Sequence, residues 1–200
     1  MRNKFLTIII SIFINTFVFA ENLFIESKNI SIDKNKEVSV FKDEVFIKTE
    51  NGIIINSDYA EYDRSIGVIK LEKNIVAVDR ENNIIEASFA EYDENNKTLK
   101  TIGPTKIITS EKYILDGENI FLDNNKEIIL SKYKAIITDQ DNNKIFLENF
   151  EYLSVNNIFK SIGFIEIKDQ YSNTYEFSQI YIDTKKKEIL GTDTKSFLNN

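Results

Sequence analysis

The chain has no cysteine, no histidine and no tryptophan, and its 200 residues include one proline, one methionine and six glycines. Without thiols no disulfide can staple the fold, so it must close a hydrophobic core of its own. Without imidazole or thiolate, Ser-His-Asp and Cys-His nucleophilic mechanisms and most zinc chemistry are excluded. Positive charge is also in deficit: 25 Lys and Arg stand against 32 Asp and Glu, a formal net charge of −7. That balance argues against nucleic acid as a partner, since binding it rests on clustered cations that neutralise phosphates. From Glu21 onward there is no helical periodicity long enough to specify a helix.

The opening residues read as a targeting segment and are set apart from the fold. Met1–Lys4 is a short basic stretch, Phe5–Phe17 an apolar run, and Val18-Phe19-Ala20 a small-residue cleavage signal before Glu21. The run is shorter than the roughly 20 residues that span a bilayer, and Asn15 and Thr16 interrupt it. A cleaved export signal over 1–20 is the reading preferred to a retained anchor. Cleavage removes Arg2 and Lys4 and makes the chain more acidic still. Residues 21–200 then form one domain.

What the chain has in quantity is repetition. DYAEYD (Asp58–Asp63) returns thirty residues later as SFAEYD (Ser88–Asp93), and the same spacing gives ENIFLD (Glu118–Asp123), ENFEYL (Glu148–Leu153) and SQIYID (Ser178–Asp183). Backwards it gives KNISID (Lys28–Asp33). A fixed period of this size means one supersecondary unit copied along an array. Within each copy, alternating Ile, Val, Tyr and Phe are punctuated by Asn- and Asp-rich turns, which is the signal of strands joined by tight hairpins. In the second copy the spacing predicts strands over 53–62 and 68–78 joined by the turn Asp63–Gly67, with Asp79–Asn83 as the next turn. Each strand is interrupted near its middle. Gly103-Pro104 and Gly163 stand where Lys73-Asn74 stands, and Gly117 where Ser57 does. Gly and Pro inside strands mark bends. The fold class expected is therefore all-β: six thirty-residue repeats giving a bent antiparallel meander of about a dozen strands, a β-jellyroll with two facing half-sheets, V-shaped or a flattened tube and open at both ends.

Parity assigns an inner wall. On one strand of each hairpin it holds Ala60 and Tyr62, Ala90 and Tyr92, Ile120 and Leu122, Phe150 and Tyr152. On the other it holds Val45 and Ile47, Ile75 and Ala77, Ile107, Ala135 and Ile137, Ile165 and Ile167. Outward neighbours such as Lys48, Lys106, Glu166 and Lys168 are charged, so one face is wet and the other is not. The alanines are expected to leave volume along this wall, making it a groove suited to acyl chains at about 0.8 kcal/mol per buried CH₂. The repeated Asp33, Asp63, Asp93, Asp123 and Asp183 could be read as a calcium ladder or glycosidase acids, but each precedes turn residues and reads as punctuation. Asp139–Asn143 lacks the glycine and bidentate Glu of an EF-hand loop. No metal, cofactor or catalytic constellation is indicated. The first and last strands leave edges that invite pairing with a partner of the same fold.

SDYAEYD (Ser57–Asp63), ASFAEYD (Ala87–Asp93) and the Lys160-Ser161-Ile162-Gly163 turn, together with an export signal and a bent meander, resemble the OstA-like family of lipopolysaccharide-transport proteins. That family includes the LptA-type bridge protein and the N-terminal domain of LptD. The resemblance runs from Phe24 to Leu198, and the stretch Lys185–Asn200 looks more like the LptD domain than a free LptA end. It implies a periplasmic protein, tethered to the outer membrane where a barrel follows. The implied function is not enzymatic. It is lipopolysaccharide transport and outer-membrane assembly, with the lipid A part as cargo and other jellyrolls of the bridge as edge-to-edge partners. A structural or adhesive β-solenoid, with parallel coils sealed by stacked Ile, is the alternative. A polysaccharide-cleaving β-helix is a further one, disfavoured by the missing histidine.

Overall fold

The computed structural model describes residues 23–33 and 37–199; the segment 1–20, expected to be an export signal, lies outside the described residues. Among the described residues eighteen strands form one sheet. Six are unbroken: β3 (Val38–Thr49), β4 (Ile54–Asp63), β5 (Val68–Val78), β6 (Ile84–Asp93), β15 (Ile158–Lys168) and β16 (Thr174–Asp183). The others are halves of one extended course each: β1 (Leu23–Glu26) with β2 (Asn29–Asp33), β7 (Thr98–Thr101) with β8 (Pro104–Ile108), and β9 (Ile114–Glu118) with β10 (Phe121–Asp123). So are β11 (Ile128–Ser131) with β12 (Ala135–Thr138), β13 (Lys144–Leu147) with β14 (Phe150–Leu153), and β17 (Glu188–Thr192) with β18 (Lys195–Phe197). Counted this way there are twelve rungs, two per repeat, and each pairs with its sequence neighbours. Every pairing is antiparallel, so the parallel-coil solenoid fails as a description of this chain.

The thirty-residue period reappears in the backbone. Glu37, Gly67, Lys97, Glu127, Asn157 and Lys187 close the first turns with φ between 56° and 67°. Gly52, Asn82, Lys112, Asn142 and Ser172 close the second turns, also with positive φ. Left-handed backbone costs a side chain about 1 kcal/mol or more, so a fixed hairpin geometry imposes it even where Lys, Glu or Ser occupies the place. Successive turns are laced together. Arg64, Glu94, Asn124, Ser154 and Thr184 donate backbone N–H to the carbonyls of Glu37, Gly67, Lys97, Glu127 and Asn157, at 2.9–3.2 Å.

At mid-rung the ladder slips. Register shifts fall between Lys42 and Val45, Asn56 and Tyr59, Glu72 and Ile75, and Ile162 and Ile165. Asp43, Glu44, Lys73, Asn74, Gly103 and Gly163 take positive φ there. These bulges fold each rung over, as the interrupted strands predict. Where rungs are broken outright, hydroxyls replace the lost ladder bonds. Ser131 Oγ donates to the Glu118 carbonyl at 2.8 Å and Ser161 Oγ to that of Asn149 at 2.7 Å, while Thr101 Oγ accepts from Ile120 N–H at 2.9 Å.

Folding at a common height yields two layers. Layer I holds the rung halves next to the first turns and layer II those next to the second turns. Their inner faces meet in one apolar core running from β3 to β16. The ends are less covered. Ile30 and Ile32 of β2 lie opposite buried Phe41 and Ser39, hence on the inward side, yet are about half exposed, as Ile189 of β17 is opposite buried Ile182.

The second turns carry their own polar frame. Asp79, Asp139 and Asp169 each accept backbone N–H bonds from residues two and four places on. Asn83 is fully buried; it donates to Asp79 Oδ2 at 2.8 Å and accepts from Ser110 N–H of the next turn at 3.1 Å. Asn83→Ala strands both partners and is expected to lower unfolding free energy by about 1–3 kcal/mol in urea titrations. The half-exposed equivalent Asn173→Ala should cost less, and equal losses would contradict this role.

Candidate functional site

The inner wall is where parity put it. Val45, Ile47, Ala60, Ile75, Ala77, Ala90, Tyr92, Ile107, Ile120, Leu122, Ala135, Ile137, Phe150, Tyr152, Ile165 and Ile167 are all buried in the one core. Tyr62 differs: it is half-buried and packs against that core from the rim. The same wall includes residues the sequence reading left out, among them Phe41, Ile55, Leu71, Leu115, Leu147 and Phe159. Register was the missing signal, since each lies directly opposite a predicted wall residue.

The alanines do not keep space open. Ala60 lies between Phe41 and Leu71, Ala77 between Ile55 and Ile85, and Ala135 opposite Leu147. All four alanines are at most 3% exposed, buried against these neighbours. Small residues here give room to large neighbours, which is ordinary core packing. The expected standing groove is therefore an interior filled by its own side chains. Tyr152 stacks on Phe159 with ring centroids 4.2 Å apart, and Phe150 meets Phe159 edge-on at 6.2 Å.

Along one side the two layers are joined by side chains instead of backbone ladder. Lys97 Nζ of a first turn bonds Glu50 of a second turn at 2.8 Å, and Lys187 Nζ meets Gln140 Oε1 at 3.0 Å. Asn51 is the hub of this rim. Its Oδ1 accepts from Thr49 Oγ at 2.9 Å and Tyr92 Oη at 3.2 Å. Its carbonyl accepts from Arg80 Nε at 2.6 Å and Asn124 Nδ2 at 3.0 Å. These contacts close the V into a flattened tube. Nothing in the repeat singles out Asn51, because apart from Thr49 its partners, Arg80, Tyr92 and Asn124, come from other rungs.

Tyrosines line this rim with their hydroxyls toward polar partners. Burial pushes the Tyr92 hydroxyl up to about 12, and burial together with a 2.6 Å bond to Glu94 does the same for Tyr62. Burial raises Tyr152 as well. They act as neutral donors, not as acids poised for proton transfer.

The repeated aspartates serve the turns. Asp63 accepts from Ser65, Asp93 from Asn96 and Asp183 from Lys186, and these bonds hold their carboxyls below the usual range. Asp123 shows the same direction against a burial cost. Among the described residues no group of three or more Asp or Glu is placed to hold a metal ion.

One feature of the outer surface escaped parity reasoning. Ile54, Val78, Ile84, Ile108 and Ile114 lie directly opposite one another on the outside of layer II, in an apolar row five strands long. On layer I the outer row instead pairs Glu61 with Lys70, Lys70 with Glu91 and Glu91 with Lys100. Alternation of wet and dry faces thus holds for one layer better than for the other.

No family model and no curated protein matches the chain. Among solved structures it is similar to LptH, the LptA-homologous periplasmic component of the lipopolysaccharide transport device of Pseudomonas aeruginosa. The identity is 9%, with 89% of this chain and 95% of that chain covered and a TM-score of 0.26. It is similar to the same degree to the TCP10 domain of Danio rerio CPAP in complex with a STIL peptide: 9% identity, 89% and 98% coverage, TM-score 0.27. Two neighbours so different in kind, at this distance, say nothing of function; any functional reading stands on the chain's own residues.

The turn aspartates give a pH dependence with a definite sign. Carboxyls held low in the folded state add stability above the unfolded carboxylate range and lose it as pH falls through their folded values. Asp79 opposes this, because burial raises its carboxyl and its charged form costs stability near neutrality. The thermal midpoint is expected to drop below about pH 4, with Asp93→Asn and Asp183→Asn each flattening the fall. An unchanged slope in both variants would remove these aspartates from the account.

Proposed function

We propose that this chain is a non-enzymatic, exported lipid carrier of the OstA-like kind. It takes the lipid A acyl chains of lipopolysaccharide between its layers and serves transport toward the outer membrane. The observation that carries the reading is the uninterrupted apolar interior from β3 to β16, ending on uncovered inward residues, Ile30 and Ile32 at one end and Ile189 at the other. A core continuing to both open ends suits a conduit better than a closed globule. The export-signal segment and the repeat motifs support the periplasm as its place.

A filled interior sets a condition on cargo. A twelve-carbon chain gains on the order of 9 kcal/mol on leaving water, but it enters only where side chains give way. The rim is the weaker boundary, held by Lys97–Glu50, Lys187–Gln140 and the Asn51 hub in place of a backbone ladder. Lateral entry there also lets the sugar head stay in water.

The uncovered edges, β1 and β2 at one end and β17 and β18 at the other, supply the partner surfaces. Among the described residues each pairs with a neighbouring strand on one side, and its other side and inward apolar side chains can meet a jellyroll of the same kind. Pairing would join the interiors end to end.

Photo-crosslinking residues at Tyr92 and Ile137 are expected to capture lipopolysaccharide, while outward-facing Glu91 is expected not to. Capture at Glu91 alone, in protein whose circular dichroism is unchanged, would sink the reading.

A further inference from the structure

On the outside of the bend a trough of about 540 Å³ crosses the strands, a volume typical of ligand sites. Its floor is the outer face of layer II, where Ile136 and Phe146 lie directly opposite each other. Its wall is the bend itself, with Pro104 at one end and Phe164, 56% exposed, at the other. A second cavity of about 480 Å³ shares Pro104, Asp116 and Gly117 and prolongs it toward Asn74. Of the inner-wall residues only Ala135 and Leu147 border the trough, at the bend, and the rim takes no part.

The border of this apolar floor is acidic. Asp116, Glu118, Glu148 and Glu166 line it against one cation, Lys134. Lys134 is engaged with Glu148 at 3.4 Å, and Glu166 with Lys168 at 2.9 Å. Asp116 and Glu118 make no ion pair among the described residues, although Lys106 lies opposite Asp116 in register. Lys168 Nζ also stands 5.3 Å above the Phe146 ring, so an ammonium over an aromatic beside a carboxylate is already realised at the trough's margin.

We propose that the trough docks an extended peptide segment of about six residues in which apolar and cationic side chains alternate. From Pro104 to Phe164 it crosses five rungs, roughly 19 Å at about 4.8 Å per strand, which six extended residues match. Asp116 and Glu118, without an ion pair, border one end of the floor, and Glu148 and Glu166, each held by one exposed lysine, border the other; cationic groups spaced along a polymer meet both ends, and an amphiphile with a single charged head meets one. The segment runs across the strands, so its affinity comes from side chains and not from an added β-strand.

The test is fluorescence anisotropy on the full chain with labelled Leu-Lys-Leu-Lys-Leu-Lys and its Leu-Glu counterpart. The lysine peptide is expected to bind, more weakly as salt rises, and the glutamate peptide not to bind. Asp116→Asn with Glu118→Gln is expected to weaken binding about fivefold, and Phe164→Ser, at an exposed site that leaves the core intact, to weaken it too. Amide shifts on binding should centre on residues 116–118, 134–136, 146–148 and 164–166. Equal binding of both peptides, full displacement by a dodecyl trimethylammonium detergent below its micellar concentration, or shifts confined to other residues would each overturn the proposal. None of these outcomes bears on lipid capture at Tyr92 or Ile137, so the two readings fail separately.

Discussion

The structure depends on one constraint: every rung turns, bends and turns again at the same three heights. Positive φ recurs every thirty residues at the first turns and again at the second, whatever residue stands there. Backbone bonds from each first turn to the next, from Arg64 to Glu37 through Thr184 to Asn157, hold those heights in step. A slip of one residue anywhere would turn a rung's inward side chains outward. The common heights convert a flat meander into two layers, and two layers give the apolar side chains somewhere to go.

The packing that follows is tighter than an acyl-chain conduit needs at rest. Alanines beside Phe41, Leu71 and Leu147 show complementarity between neighbouring rungs, and the aromatic cluster at Tyr152 and Phe159 fills the layer junction. The boundaries are unequal, however. Across the sheet the rungs are bound by ladders, while across the rim a few long side chains and one buried asparagine do the joining. Local opening is easier where few backbone bonds must break, and the rim is joined by side chains.

The outer surface divides along the same bend. Layer I wears alternating acid and lysine across neighbouring strands, a solvated face. Layer II wears an isoleucine row and, beside the bend, an apolar trough with an acid border. The bend that forms the interior by folding the rungs thus also raises the wall of an exterior site.

Much of this was legible in the sequence because a strand's periodicity is local. Alternation, the Asp-rich turns and the thirty-residue spacing predicted about twelve antiparallel strands, the bend positions at Gly103 and Gly163, and part of the buried wall, with Val68–Val78 matching residue for residue. The aspartates were legible as turn residues for the same reason, since their bonds reach two to four residues along the chain. What sequence could not supply were relations between rungs. Whether alanines leave space depends on who stands opposite, and Asn51 matters because Tyr92 and Asn124 arrive from other rungs. The layer II row exists because apolar positions on five strands fall into register. The sequence by itself determined the rung, its turns and its two faces, all set by neighbours within a few residues. Only the tertiary structure decided that the interior is full, that the rim is the seam and that the bend carries a second site, because those follow from how distant rungs meet.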